Sequence, residues 1–299
     1  MALRCAQNVD VSIAYARKKD VQILQFLRLE GLRSEMTYDP IGSTAKFTRA
    51  YEHFKAIQTI VETWSKITTY ETVSEPDPER SGLVHCERYV ARIAGPELPD
   101  VSALLGDCLH NFRCVLDHMI WFASVVNSGS PPPGPKRISF PVSDRRESYK
   151  DKGLHAVPPE IKEYVETLQP YHAGKDARSH PLWVVSELDN VDKHRQLHVI
   201  RHVALKPEVR FTSTSEGPWV ETMEAGPVED GTVLARLFTP FSFARNEVEM
   251  NLNITHGIVI EETETTPALH LGQTMEAVML AVRDAAQGIT TILAKFMQG

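Results

Sequence analysis

Residues 99–127 constrain the fold of this chain more than any other stretch. Gly95-Pro96 breaks what precedes them, and Pro99 or Asp100 opens a helix. Asn127-Ser-Gly-Ser-Pro-Pro-Pro-Gly-Pro135 then stops it, because no helix continues through such a run. At about 100° per residue, Leu105, Leu109, Phe112, Val115, Leu116, Met119 and Phe122 share one broad side. That side must be core, so other elements have to cover it. Asp107, His110, Asn111, Cys114, Asp117, His118 and Trp121 lie opposite, with Arg113 at their edge. A solvated helix face normally uses Glu, Lys, Gln and Arg, which lose little rotamer freedom there. Short acids and histidines are poorer helix formers, so a stripe of them in mid-helix needs a reason.

The elements that could cover the apolar side are legible from their periods. Ser43 or Thr44 caps a helix running to about Lys66, with Phe47, Tyr51, Phe54, Ile57, Val61 and Trp64 on one face. Further helices are expected at residues 159–168, from Pro181 into Lys193-His194-Arg195, and at 271–297. The last packs through Met275, Val278, Met279, Val282, Ala286, Ile289, Leu293 and Phe296. Residues 68–73 and 83–93 read as strands joined by turn formers. Between His198 and Glu261 the period drops to two, predicting strands at 198–205, 209–214, 219–223, 232–238 and 247–260. They are expected to form an antiparallel meander that the early strand pair joins. The region after the central helix, with Phe140-Pro141 and the charged residues 144–152, is long and irregular.

The fold class is therefore α+β: a helical bundle (43–196 and 271–297) with an attached antiparallel β meander (197–262) and a closing C-terminal helix. Residues 36–299 form one domain. Residues 1–35, with Arg17-Lys18-Lys19, are expected to be a peripheral extension, and Met36 is an alternative start of the folded unit.

Charge and motifs narrow the function classes. A formal charge of −7 gives no global attraction to nucleic acid or acidic membranes, so a polyanion site would have to be a local patch. There is no run of about eighteen apolar residues, so no membrane span is expected. The first residues contain no apolar core of a secretory signal. Cys5, Cys86, Cys108 and Cys114 form no CxxC pair, and free thiols without export favour the cytoplasm. No Walker loop, GxGxxG, HExxH or GxSxG occurs, which disfavours a dinucleotide cofactor and the commoner hydrolase mechanisms. No cofactor is expected.

Three reasons for the polar stripe compete. The first is a satisfied network, in which Asp107 with His110, and His110 with Asp117, share hydrogen bonds across successive turns. A non-enzymatic binding or structural protein would need nothing more. The second lies in Arg113-Cys-Val-Leu-Asp-His118, an Arg, four residues and a His. On this motif the chain resembles the HEPN superfamily, compact helical domains that include many metal-independent ribonucleases of toxin and antiviral systems. The resemblance implies a homodimer acting on RNA, with Arg113 stabilising phosphate charge and His118 transferring the proton. Cys114 departs from that pattern, in which a polar residue follows the Arg. Asp107, His110, Asn111 and Asp117 would line the binding site, and Lys193, His194 and Arg195 would form its basic lip. Without a ligand, those three are equally suited to a helix C-terminus. Trp121 and Trp183 could stack bases. The third reason is a metal held between helices by Glu52, His53, Asp107, His110, Asp117, His118, Asp189, Asp192 and His194.

A wider string, Gly106-Asp-Cys-Leu-His-Asn-Phe-Arg-Cys-Val-Leu-Asp-His118 with Leu188-Asp-Asn-Val-Asp-Lys-His-Arg195, resembles a group of bacterial hypothetical proteins. That likeness spans most of the chain after Met36 and implies no particular activity.

Overall fold

The computed structural model describes residues 41–298, apart from 81, 83, 212–216, 225 and 242–247. The extension 1–35 and the start at Met36 lie outside the described residues. The chain is α+β with antiparallel strand pairing. Its long-range packing gathers into two units, Ile60–Pro99 with Ile200–Val259, and residues 41–59 with Asp100–Val199 and 260–298.

The second unit is helical. It holds α1 (Ile41–Ile67) as far as Thr59, then α2 (Ser102–Ser128), α3 (Pro159–Thr167), α4 (Pro181–Asp192) and α5 (Leu271–Phe296). Helix α2 begins later than its proline suggested. The N-cap is Val101, and the Asp100 carboxylate just before it accepts from the Ser102 N–H at 2.9 Å, which turns the chain into the first helical residue. Bonds from the Ser102 hydroxyl and N–H hold Asp100 below the usual carboxylate range. At the far end Gly129 takes φ 82°, a conformation glycine adopts without strain, and its N–H closes on the Val125 carbonyl at 2.9 Å.

All seven apolar residues expected on the core side of α2 are buried. Cys108, Asn111, Ile120 and Ala123 are buried too, so the covered surface wraps further round than the apolar pattern indicates. Phe47 of α1 meets Phe112 edge-on at 5.5 Å, and the Cys108 thiol donates to the Ala50 carbonyl at 3.1 Å. Helix α5 packs on α2, α3 and α4. It is also long and apolar enough, by length and composition, to cross a membrane. The residues that make it so, among them Met275, Val278, Val282, Ile289 and Leu293, are buried inside this unit.

The irregular region between α2 and α4 is anchored by side chains. Gln169, 1% exposed, accepts from the Ser143 N–H at 3.0 Å and donates to the carbonyls of Pro141 and Val165 at 2.9 and 3.0 Å. Phe140, next to Pro141 in sequence, is buried, and Ser139 lies against Gly153, whose carbonyl accepts the Ser139 N–H at 3.4 Å.

The first unit holds the strands β1 (Thr69–Pro76), β2 (Val84–Ala94), β3 (Val199–Phe211), β4 (Trp219–Thr222), β5 (Gly226–Pro227), β6 (Val233–Pro240) and β7 (Val248–Ile260). A two-residue β8 (Leu269–His270) precedes α5. The strands do not form the expected meander. They divide between one sheet of order β1-β2-β6-β4 and another of order β5-β3-β7-β8. Alternation of side chains reports which faces are covered but carries no information about the neighbour, so strand order escapes it. The early pair does join the later strands: Val73 lies opposite Val90, and Cys86 opposite Phe238. The two strands expected at 198–205 and 209–214 are one through Phe211, because proline's φ suits extended backbone and Pro207 does not break it. Tyr89, Leu234, Leu237 and Met250 belong to the apolar cluster of this unit, and Arg236 donates to the buried Asp77 at 2.8 Å. That bond keeps Asp77 ionised well below its ordinary range.

Gly153 has the least room of the loop glycines, since a Cβ there would overlap the Ser139 carbonyl. Gly153→Ala should therefore cost about 1–3 kcal/mol, the usual range for overpacking against backbone. Urea unfolding of the variant measures it, and an unchanged midpoint would contradict this packing.

Candidate functional site

The polar stripe pairs along α2 as Arg113 with Asp117 and His110 with Cys114, and not as Asp107 with His110 or His110 with Asp117, the pairs the network reading anticipated. It reaches outward in two directions, and each neighbour takes a different set of residues.

The first set meets the loop carrying Phe140. Arg113 Nη2 donates to Asp117 Oδ1 at 2.9 Å and to the Phe140 carbonyl at 2.7 Å. The Phe140 N–H donates back to Asp117 Oδ1 at 2.8 Å. Three groups thus close a ring of hydrogen bonds, with the Arg113 side chain 15% exposed. One turn of helix spaces Arg113 and Asp117 for contact, and the loop sets its backbone against both of them. Arg113 Nη1 is buried and has no hydrogen-bond partner among the described residues. His118 Nδ1 is in the same position. The first turn of α1 approaches that ring, since a Cβ at Gly42 would stand 3.4 Å from Nδ1.

The second set meets α4. Asp189 is buried, its side chain 3% exposed, and two donors reach it. His110 Nδ1 lies 3.0 Å from Oδ1, and Lys193 Nζ donates to Oδ2 at 2.7 Å. A buried carboxylate with two charge-assisted partners is satisfied; with neither it would be costly. His110 Nε2 lies 3.5 Å from Cys114 Sγ. Burial raises the Cys114 thiol above its ordinary range, Asp117 and Asp189 raise it further, and Lys46 and Lys193 oppose that. Asp192, one turn from Leu188, rests its carboxylate on Gly106, where no other side chain leaves space. Burial pushes Asp192 upward, aided by Asp189 and Asp107 and opposed by His110.

The remaining candidates are placed apart from these two sets. Asp107 is exposed, and its carbonyl accepts from Asn111 Nδ2 at 2.7 Å, which satisfies the buried Asn111 within the helix. His194 is exposed, and Arg195 turns to Glu264 at 3.6 Å, so of the expected basic lip Lys193 alone reaches the stripe, through Asp189. Trp183 is half-buried with its ring N–H on the Thr265 carbonyl at 3.1 Å. Glu52 pairs with Arg49 on the exposed side of α1. No three His, Cys, Asp or Glu side chains converge as metal ligands among the described residues. The three-helix metal site is therefore not assembled there.

Lys46 and the Phe140 backbone are participants that residue types did not single out, and Cys114 was placed on the stripe without its His110 partner. The i, i+4 spacing of His110 and Cys114, and of Asp189 and Lys193, is a signal that could have found those two pairs. No protein-family model, curated protein or solved structure matches the chain.

The Asp192 carboxyl supplies a pH test of this arrangement. Its folded-state pKa is raised, so its contribution is present below the ordinary Asp value and lost as pH rises through the folded value. Asp192→Asn, which stays neutral, should melt higher than the native chain at pH 7. The two should coincide at about pH 3, below the unfolded-state value. Calorimetry at both pH values decides, and an equal or lower melting temperature at pH 7 would refute the assignment.

Proposed function

We propose that this chain is a HEPN-like RNA-binding protein that cleaves RNA without metal, acts as a homodimer and serves a defence or toxin-like system. One observation carries the proposal. The two residues of the Arg-to-His motif each keep a buried nitrogen, Arg113 Nη1 and His118 Nδ1, without a partner among the described residues. Leaving such a group unsatisfied costs about 1–3 kcal/mol, so a protein that retains two on adjacent turns has a use for them.

The chemistry follows from the residue types. Arg113 is fixed through Nη2, and its guanidinium fork would reach a phosphate oxygen with Nη1 once the groups covering that atom move aside. His118 takes the proton of a ribose 2′-hydroxyl as that oxygen attacks the adjacent phosphorus. The bond to the 5′-oxygen breaks and that oxygen takes a proton from water, leaving a 2′,3′-cyclic phosphate and a 5′-hydroxyl. Residues five apart on a helix point about 140° away from each other, so one helix does not present both to one phosphate. A two-fold pair of α2 helices would, which supports the dimer. The acidic chain would depend on local cations near the stripe, Lys46 and Lys193 among them, for affinity.

A second reading rests on the Arg113–Asp117–Phe140 ring. That ring holds a loop whether or not RNA is touched, as expected of a binding protein whose strands supply the partner surface. Trp219 and Phe241, exposed by 47% and 58%, stand on that strand unit.

Purified protein should cleave a mixed RNA pool in excess chelator, producing cyclic-phosphate ends, and His118→Ala should reduce the rate at least about 100-fold. Melting temperatures recorded beside the rates separate the readings. An inert native protein, with Arg113→Ala lowering only the melting temperature, would favour the structural role.

A further inference from the structure

The departure of this chain from the HEPN-type motif lies at Cys114, and the surroundings of that thiol have a chemistry of their own. Cys114 is partly exposed, whereas Cys86 and Cys108 are buried. Its Sγ lies 3.5 Å from His110 Nε2, and His110 Nδ1 lies 3.0 Å from Asp189 Oδ1. Ionised Asp189 only accepts hydrogen bonds, so the proton of neutral His110 belongs on Nδ1. Nε2 is then left with a lone pair facing the thiol, whose S–H donates to it. Lys193 on the other carboxylate oxygen holds Asp189 in place. The Asp189 side chain is 3% exposed and that of His110 49%, so the orienting group is buried while the base and thiol are open to a reactant.

We infer that Cys114, His110 and Asp189 form a nucleophile, base and orienting carboxylate, a second reactive site that takes electrophilic acyl groups such as activated esters or thioesters. It stands independently of the RNA reading, because neither Arg113 nor His118 takes part.

The order of proton and bond changes is set by the geometry. Burial keeps Cys114 protonated at rest, so the site works by general-base removal of the proton and not from a stored thiolate. Sγ bonds to the carbonyl carbon as His110 Nε2 takes the thiol proton. The carbonyl electron pair moves to oxygen and returns as the bond to the leaving oxygen or sulfur breaks. His110 then protonates the departing group, and a thioester remains on Cys114. Water, deprotonated by the same Nε2, hydrolyses it and restores the thiol. Lys46 and Lys193 supply positive charge near the sulfur as negative charge develops on the carbonyl oxygen. Asp189 is a positioning residue that acts through His110.

Two probes test the assignment on the whole chain, with peptide mass spectrometry reading Cys114 separately from Cys5, Cys86 and Cys108. With p-nitrophenyl acetate, a burst of p-nitrophenol should accompany acetylation of Cys114. His110→Gln, an exchange at a half-exposed ring, should slow that acetylation roughly 100-fold. With iodoacetamide, the Cys114 rate should follow deprotonation of an imidazole below pH 8, and His110→Gln should remove that limb. Asp189→Asn should also lower both rates by displacing the proton from Nδ1, and it should alter the limb, which a purely structural role would not do. Cys114 reacting within about threefold of the native rate in His110→Gln would overturn the proposal. So would a native pH profile that shows only the ordinary titration of a thiol.

Discussion

A carboxylate removed from water must be matched by donors, and the contact between α2 and α4 is arranged around that requirement at Asp189. Its two oxygens receive His110 from one helix and Lys193 from its own. Isolated, the buried charge would cost several kcal/mol. Paired, it fixes the rotation of α4 against α2, since a turn of either helix about its axis would part the ring from the acid. Gly106 permits the close approach that brings Asp192 onto the same surface. The proposed chemistry of His110 and Cys114 depends on this registration and is downstream of it.

Arg113 solves a different problem with similar means. The loop through Phe140 has a buried aromatic side chain and therefore buried backbone groups that need partners. Arg113 and Asp117 supply one donor and one acceptor to the same peptide unit region, so the loop is held by its backbone and not by sequence-specific side chains. The two polar systems share one helix but recruit different neighbours. Each leaves something over: a guanidinium nitrogen and an imidazole nitrogen in one, a thiol facing a lone pair in the other.

Much of this could be read from residue order, because helical burial obeys a local rule. The seven apolar residues of α2 recur on one face, and that face is buried, since a helix has no other way to bring them together. Asn111 broke the rule by being buried, which its bond to the Asp107 carbonyl permits and which no periodicity reveals. The position of the stripe was legible; its partners were not. Asp189 stands far along the chain from His110, and the pairing depends on how two helices pack. Strand order failed for a similar reason. On Val233–Pro240 the neighbours Leu234 and Ala235, and Leu237 and Phe238, are buried together, yet nothing in that apolar run tells that β2, so much earlier in the chain, lies alongside.

Helix α5 adds a constraint in time as well as space. It covers apolar surface on α2, α3 and α4, yet it is synthesised after all three and after the strands β3 to β7. Growing from the ribosome, the chain carries these three helices without that cover for as long as the intervening residues take to appear. Closure of the helical unit must then be among the last events of folding, with contacts of high sequence separation formed late. The helical unit is thus complete only when the strip laid down after the strands comes back to meet it.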